Sequence, residues 1–199
     1  MPPLVRLLLF PLLLLSGSLS AQLNGTYTVG PTGTYTTLAA AITALQTNGV
    51  SGPVFMDIQS GSYTGNWVIN AIPGTSAVNQ VTFRSQALSN AAVTLSHVDI
   101  WLPTIILNGC SFVNLRFLSI TGSSIAVNCT GNPTDCSITH CAISAAGNGI
   151  NSIGTQADRT TVAYNTVNTG YSGIYFQSPI GQFNDDLVIT ANSIVSNAE

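Results

Sequence analysis

Charged side chains are scarce in this sequence. Its 199 residues include 4 Lys or Arg and 7 Asp or Glu, for a net charge of -3 at pH 7. The basic residues are all arginines, Arg6, Arg84, Arg116 and Arg159. Binding to nucleic acid or another polyanion requires clustered Lys and Arg. We therefore expect no nucleic-acid partner, and predict a neutral extracellular glycan or a cell-surface protein instead.

Motifs for cofactors are missing too. The sequence has no Walker loop, no glycine fingerprint between a strand and a helix, and no glycine-rich calcium nonapeptide. His97, His140 and the 4 cysteines lack the short spacing of a zinc site. These patterns predict no bound cofactor.

The longest apolar run lies at the N-terminus. Arg6 precedes the leucine-rich segment 7–15, which Pro11 interrupts, and small residues follow it. This run is too short to cross a bilayer and has the layout of a secretory signal peptide. We predict that residues 1–21 are a leader and that residues 22–199 form one domain, secreted or displayed on the cell surface.

A repeat dominates the second half of the chain. Segments 115–120, 138–143, 162–167 and 189–194 place the same residue types at the same positions. Their fourth residues are Leu118, Cys141, Asn165 and Asn192, which are 23, 24 and 27 positions apart. A unit of this length cannot bury its own apolar face, so the repeat predicts a solenoid with one coil per unit.

Alternating apolar residues rich in Val, Ile and Thr predict strands in each coil, and turns of Gly, Asn and Ser separate them. A leucine-rich repeat would need a leucine consensus and a recurring helix. A β-sandwich would not need residues aligned in columns. The sequence therefore predicts an all-β parallel β-helix, in which Asn165 and Asn192 form an inward amide ladder with Cys141 in the same column.

One amphipathic helix precedes these strands. Its apolar face consists of Leu38, Ala41, Ile42 and Leu45. Thr36 or Thr37 can cap its start, and Gly49 can end it. Because the first coil of a solenoid exposes an apolar end, we predict that this helix covers it. No similar segment follows the last repeat, and we expect a parent protein longer than 199 residues.

The 4 cysteines leave more than one arrangement open. Export would permit disulfides, and the turn-rich segment 129–136 could bring Cys129 and Cys136 together. Alternatively, Cys110 and Cys136 stack as buried thiols in adjacent coils, since buried Cys behaves as a small hydrophobic residue.

Segments 33–42, 52–58, 61–63 and 67–69 resemble the opening of pectin-lyase-like β-helix proteins. Their order, with a Gly-Pro-Val strand, a Gly-x-Tyr turn and an Ile-Pro-Gly loop, is most similar to secreted proteins of the Bacteroidetes type. The resemblance implies a right-handed parallel β-helix solenoid with an N-terminal capping α-helix.

The resemblance does not extend to the residues of a catalytic centre. In pectin methylesterases a Gly-x-Tyr-x-Glu turn follows the capping helix, whereas Gly65 takes the place of the glutamate here. The Gln-Asp pair, the Asp-Phe strand and the Arg-Pro-Trp segment of that family are also absent from the sequence. No catalytic residue carries over to this chain.

Acidic residues gather just before three of the repeats. They are Asp135, Asp158 beside Arg159, and Asp185 beside Asp186. A solenoid would bring them to one corner, where Asp is an ordinary turn residue. The alternatives are a calcium site formed by Asp135, Asp158 and Asp185, neutralisation by Arg159, and catalysis by Asp158, Arg159, Asp185 and Asp186.

Aromatic side chains are the candidates for glycan contact, because their faces can stack on sugar rings. Successive residues of a strand alternate between its two faces, which predicts that Tyr175 points outward. Tyr171 lies on the preceding turn, and Trp101 lies in an earlier coil. His140 and Tyr164 occupy equivalent positions one coil apart, where we expect them to stack.

Two functions remain open. The first is an exported, non-catalytic β-helix module that serves as a surface spacer, an adhesive or a glycan-contact segment of a larger protein. The second is a carbohydrate-active enzyme, a polysaccharide lyase, esterase or hydrolase, whose catalytic coils lie beyond residue 199 or are unrecognised. The scarcity of catalytic residues favours the first.

Overall fold

Parallel strand pairing between successive coils organises this chain. The structure is a computed structural model that describes residues 21–197. These residues form a right-handed parallel β-helix of about seven turns. In each complete coil the chain passes once through each of three parallel sheets, called A, B and C here. The fold predicted from the repeat and from the resemblance is confirmed.

The strands are distributed over the three sheets as follows. Sheet A contains β1 (Leu23–Val29), β2 (Val50–Ile58), β5 (Val81–Ser85), β8 (Val113–Arg116), β11 (Ser137–Thr139), β14 (Thr161–Ala163) and β17 (Val188–Thr190). Sheet B contains β3 (Gly61–Thr64), β6 (Val93–His97), β9 (Ser119–Gly122), β12 (Ala142–Ala145), β15 (Thr166–Thr169) and β18 (Ser193–Ser196). Sheet C contains β4 (Trp67–Ile69), β7 (Ile105–Asn108), β10 (Ile125–Thr130), β13 (Asn148–Ile153) and β16 (Ile174–Gln177).

The repeat column forms an inward polar ladder at the corner between sheets A and B. Asn165 Oδ1 accepts from the Cys141 N–H at 2.9 Å, and Asn165 Nδ2 donates to the Ile138 carbonyl at 2.9 Å. One coil later, Asn192 Oδ1 accepts from the Asn165 N–H at 3.0 Å, and Asn192 Nδ2 donates to the Val162 carbonyl at 2.8 Å. The predicted amide ladder is confirmed, and it satisfies backbone groups that the turn leaves unpaired.

The residue before each ladder position has a left-handed backbone. Phe117, His140, Tyr164 and Ala191 have φ of 54°, 57°, 58° and 52°. A side chain in this region costs about 1–2 kcal/mol, which the ladder hydrogen bonds offset. Because the turn recurs at the same place in each coil, the corresponding side chains point outward and form one column along the solenoid.

Helix α1 (Leu38–Asn48) contacts β1, β2 and β4 at the N-terminal end of the solenoid. The Thr37 hydroxyl accepts from the Ala40 N–H at 3.1 Å, and the Gly49 N–H donates to the Leu45 carbonyl at 2.9 Å. The four predicted apolar residues of its inner face are all buried. The capping helix and its boundaries are therefore confirmed.

All 4 cysteines are buried as free thiols. Cys110 Sγ lies 3.9 Å from Cys136 Sγ, whereas the structure contains no bond between Cys129 and Cys136. The interpretation of Cys110 and Cys136 as stacked thiols is the one that the structure supports.

The leader predicted for residues 1–21 lies almost wholly outside the described residues, since only Ala21 is described. Between residues 21 and 197, no helix has the length and apolar character that a membrane span needs.

Replacing Asn165 by Ala should lower the free energy of unfolding by about 1–3 kcal/mol, because the buried Cys141 N–H and Ile138 carbonyl would lose their partner. Asn168, exposed on β15 just after the ladder position, is the matched control, and Asn168→Ala should change stability by less than about 0.5 kcal/mol. Urea unfolding followed by circular dichroism measures both. Equal effects of the two substitutions would contradict a stabilising ladder.

Candidate functional site

The outer face of sheet A displays two columns of side chains, because successive residues of each strand point alternately inward and outward. One column is Thr26, Phe55, Thr82, Asn114, Ser137, Thr161 and Val188. The other is Thr28, Asp57, Arg84, Arg116, Thr139, Ala163 and Thr190. The second column thus holds two of the chain's four basic residues next to each other.

A cleft of about 530 Å³ runs along this face. It is lined by Pro53, Phe55, Ala77, Val78, Gln80, Thr82, Asn114, Arg116, Ser137, Thr139, His140, Thr161, Ala163 and Tyr164. The lining combines amides, hydroxyls, aromatic rings and one guanidinium, and among the described residues it includes no carboxylate. Such a mixture of apolar faces and scattered polar groups is typical of a binding site.

Asp57 and Arg84 neutralise each other at one end of the charged column. Arg84 Nε donates to Asp57 Oδ1 at 2.6 Å, and Arg84 Nη2 lies 3.4 Å from Asp57 Oδ2. The Arg84 guanidinium also lies 4.3 Å from the centroid of the Phe55 ring. One face and one edge of this guanidinium are engaged, so Arg84 and Asp57 form a structural pair.

Arg116, the next residue in that column, lacks such a carboxylate. Its guanidinium carbon is 5.1 Å from the centroid of the Phe117 ring, a weak cation–π contact. Within residues 21–197, no group accepts a hydrogen bond from its buried Nε atom. The buried Nδ1 atom of His140 likewise has no hydrogen-bond partner within that range. Buried polar atoms are normally paired, so two unpaired nitrogen atoms on residues that line the cleft set this part of the surface apart.

Three aromatic rings lie in a row beside the cleft, and two of them, His140 and Tyr164, line it. The ring centroids of Phe117 and His140 are 5.1 Å apart, and those of His140 and Tyr164 are also 5.1 Å apart. This spacing is close to the separation of neighbouring strands, since the left-handed turn places one ring per coil. Tyr164 is 60% exposed. The predicted stacking of His140 on Tyr164 is confirmed.

Polar side chains on the cleft floor bond to one another. Asn114 Nδ2 donates to Gln80 Oε1 at 3.1 Å, and the Ser137 hydroxyl donates to Asn114 Oδ1 at 2.6 Å. The Ser137 proton therefore points to an amide oxygen, which is too weak a base to activate a nucleophile. The floor offers hydrogen-bonding groups to a polar ligand.

The structure brings the predicted acidic residues to one corner, between sheets C and A. Arg159 Nε and Nη2 donate to Asp135 Oδ1 and Oδ2 at 2.7 and 2.8 Å. Asp158 Oδ1 accepts from the Asp185 N–H at 3.0 Å, and Asp186 has a left-handed φ of 52°. The hydrogen bond from Arg159 holds the pKa of the Asp135 carboxyl below its usual value.

Two consequences follow for the candidates at this corner. Neutralisation by Arg159 is the arrangement observed for Asp135, and within residues 21–197 no three His, Cys, Asp or Glu side chains are grouped as a metal site requires. Calcium binding by Asp135, Asp158 and Asp185 stays a prediction. The catalytic candidates Asp158, Arg159, Asp185 and Asp186 are not part of the cleft lining described above.

The predicted glycan-contact residues lie away from sheet A. Tyr171 and Tyr175 line a shallow pocket of about 320 Å³ beside sheet C, together with Asn148, Ile153 and Ser172. Trp101 is 83% exposed on the loop between β6 and β7. The outward direction predicted for Tyr175 is confirmed, and a glycan-binding role for these three residues stays a prediction.

Arg116 and Phe117 were missed as functional candidates in the sequence. A signal for them existed, because Phe117 precedes Leu118 as His140 precedes Cys141 and Tyr164 precedes Asn165. An aromatic residue immediately before a ladder residue is therefore predicted to point outward.

The fold places this chain in the class of parallel β-helix proteins. It is similar to two crystal structures of the pectin methylesterase from Aspergillus niger. For the deglycosylated form the TM-score is 0.66 at 16% identity over 87% of this chain, and for the penultimately deglycosylated form it is 0.57 at 16% identity over 86%. The chain spans 57% and 67% of the lengths of those structures. No protein-family model and no curated protein sequence matches it. At this identity the likeness shows the fold alone.

Replacing Arg159 by Gln should make stability less sensitive to acid. The pKa of Asp135 is depressed in the folded state, so the ion pair stabilises the fold above the unfolded value, about 3.9, and is lost as the pH falls through the lower folded value. We expect the urea midpoint of the native protein to fall more between about pH 5 and about pH 2 than that of Arg159→Gln.

Arg116→Gln is the matched control for this measurement, since within the described residues Arg116 has no carboxylate partner. It should leave the pH dependence of the native protein unchanged. An unchanged acid response in Arg159→Gln would show that the pair at 2.7 Å contributes nothing in solution.

Proposed function

We propose that this chain is an exported, non-catalytic β-helix module that binds a glycan in the cleft on sheet A. One observation carries the proposal. The cleft has the stacked rings of His140 and Tyr164, an amide-rich floor and unpaired nitrogen atoms on Arg116 and His140, but among the described residues no carboxylate lines it. The lining has the groups that bind sugars, and it lacks the carboxylates that enzymes most often use to cleave them.

The ring stack supports recognition of a sugar chain. Apolar faces of pyranose rings pack against aromatic side chains, while their hydroxyls need hydrogen-bond partners at the edges. Here Tyr164 and His140 supply the faces, and Asn114, Thr161 and Gln80 supply polar groups within the same cleft. A cleft that follows successive coils suits an extended ligand.

The unpaired nitrogen atoms favour a ligand with an acidic group. A carboxylate placed at Arg116 would accept from a guanidinium that no other group in the described chain neutralises. The composition favoured a neutral glycan, because arginine is rare. A single buried donor group in a cleft nevertheless distinguishes a uronate from a neutral sugar, and the similar structures are of a pectin-processing enzyme. Polygalacturonate is therefore the first ligand to test.

The arrangement of ionisable groups supports a non-catalytic role. Glycan hydrolysis, elimination and ester cleavage all use a positioned base, commonly a carboxylate, with an acid or a stabilising cation. Asp57 is held by Arg84, and the Ser137 hydroxyl donates to an amide. The acidic residues at the corner between sheets C and A do not line the cleft.

A carbohydrate-active enzyme is the second candidate, and the observation in its favour is the likeness to an esterase. The predicted leader supports export for either candidate. A cell-surface protein is the alternative partner if the module acts as a spacer or adhesive.

Replacing Tyr164 by Ala should weaken binding of polygalacturonate oligosaccharides roughly 3–10-fold, because one face of the stack is lost. The substitution preserves the turn, since Ala191 adopts the same left-handed conformation one coil later. Tyr171→Ala, on the other side of the solenoid, is the matched control and should bind as the native protein does. Isothermal titration calorimetry measures both.

Two further results of that titration decide the site and the ligand. Arg116→Gln should reduce affinity for polygalacturonate while leaving affinity for a neutral glucan unchanged. A loss confined to Tyr171→Ala or Tyr175→Ala would instead place the site beside sheet C. No binding of either polymer to the native protein would contradict the proposal.

The purified chain should release no methanol from methyl-esterified pectin and should not shorten polygalacturonate, because among the described residues no carboxylate lines the cleft. A pectin methylesterase assayed in parallel serves as positive control. Turnover that Asp158→Asn or Asp185→Asn abolishes would establish the second candidate and reject the first.

A further inference from the structure

Two cysteines from consecutive coils meet inside the solenoid. Cys110 follows β7, Cys136 precedes β11, and their sulfur atoms lie 3.9 Å apart. The segments that carry them are joined by a bridge between Ser111 and Thr134 and by a hydrogen bond of 3.1 Å from the Thr134 N–H to the Cys110 carbonyl. The backbone therefore holds the two side chains in neighbouring positions.

We propose that Cys110 and Cys136 form a disulfide that links consecutive coils when the protein folds in an oxidising environment. Neighbouring strands are about 4.8 Å apart, within the range of Cα separations that a disulfide tolerates. Rotation about the side-chain bonds can bring sulfur atoms from contact distance to bonding distance. The proposal concerns a covalent modification and does not depend on the glycan-binding function.

The other two cysteines are less suited to this reaction. Cys141 Sγ lies 3.4 Å from the Thr139 carbonyl and 3.7 Å from the Leu115 carbonyl, in the ladder column. Cys129 is fully buried on β10, and burial raises its pKa to about 12. Within residues 21–197, Cys110 and Cys136 are the pair whose sulfur atoms are in contact.

The reaction requires a disulfide oxidant such as oxidised glutathione. One cysteine thiolate attacks a glutathione sulfur and expels the first glutathione thiol, and the second cysteine then attacks the mixed disulfide and expels the other. Two cysteine thiols lose two protons and two electrons, and one oxidised glutathione becomes two thiols. The contact with Cys136 and burial raise the pKa of the Cys110 thiol in the folded chain.

The test uses the full chain refolded in a glutathione redox buffer, then denatured without reductant and treated with N-ethylmaleimide. We expect two labelled cysteines, Cys129 and Cys141, and a peptide map that contains a Cys110–Cys136 link. Four labelled cysteines, or a link between Cys129 and Cys136, would overturn the proposal. This readout needs no variant and is independent of any folding defect.

Stability provides a second readout. Closing a loop of 26 residues should raise the thermal midpoint by roughly 5–10 °C, and reductant should remove that gain. Cys129→Ala, the matched control, should keep both the link and the response to reductant, whereas Cys136→Ala should lose both. An equal response to reductant in Cys136→Ala would exclude the link as its cause.

Discussion

The structure depends on hydrogen bonding between coils at the corner between sheets A and B. There the chain turns through one left-handed residue, and the next side chain bonds inward to the backbone of the preceding coil. Without those bonds the turn would leave buried N–H and carbonyl groups unpaired, at a cost comparable to the strain itself. Each coil thus fixes the position of the next, and this sets the register of strand pairing along the solenoid.

The same corner gives the candidate site its shape. An inward ladder requires the residue before it to point outward, so Phe117, His140 and Tyr164 are stacked at the spacing of the coils. Beside them, adjacent strands place Asp57, Arg84 and Arg116 in one column. A single carboxylate neutralises the nearer arginine and leaves the other facing the cleft. The recurring turn therefore gives rise both to the regular stacking of the coils and to the shape of the candidate site.

Scarcity of charge has different consequences on different faces. At the corner between sheets C and A, Arg159 pairs with Asp135, and the neighbouring Asp158 bonds to backbone. Inside the solenoid, thiols and amides replace charged groups at the polar positions, as in Cys141 and Asn165. The cleft is the place where a cation and buried nitrogen atoms lack partners in the described chain. This contrast supports the proposed binding of a glycan on sheet A.

The coil length, the presence of strands in each coil, the capping helix and the amide ladder could be predicted from the sequence, because each depends on the local spacing of residues. The passage of each coil through three sheets could not be predicted in the same way. The cleft could not, since its walls come from loops that do not repeat, such as the segment carrying Ala77 and Val78. Nor could the pairing of Asp57 with Arg84, which depends on the side-chain distance between residues 27 positions apart. Periodicity specifies which face of a strand is buried. Only the packed coils decide which outward side chains meet and which remain unpaired.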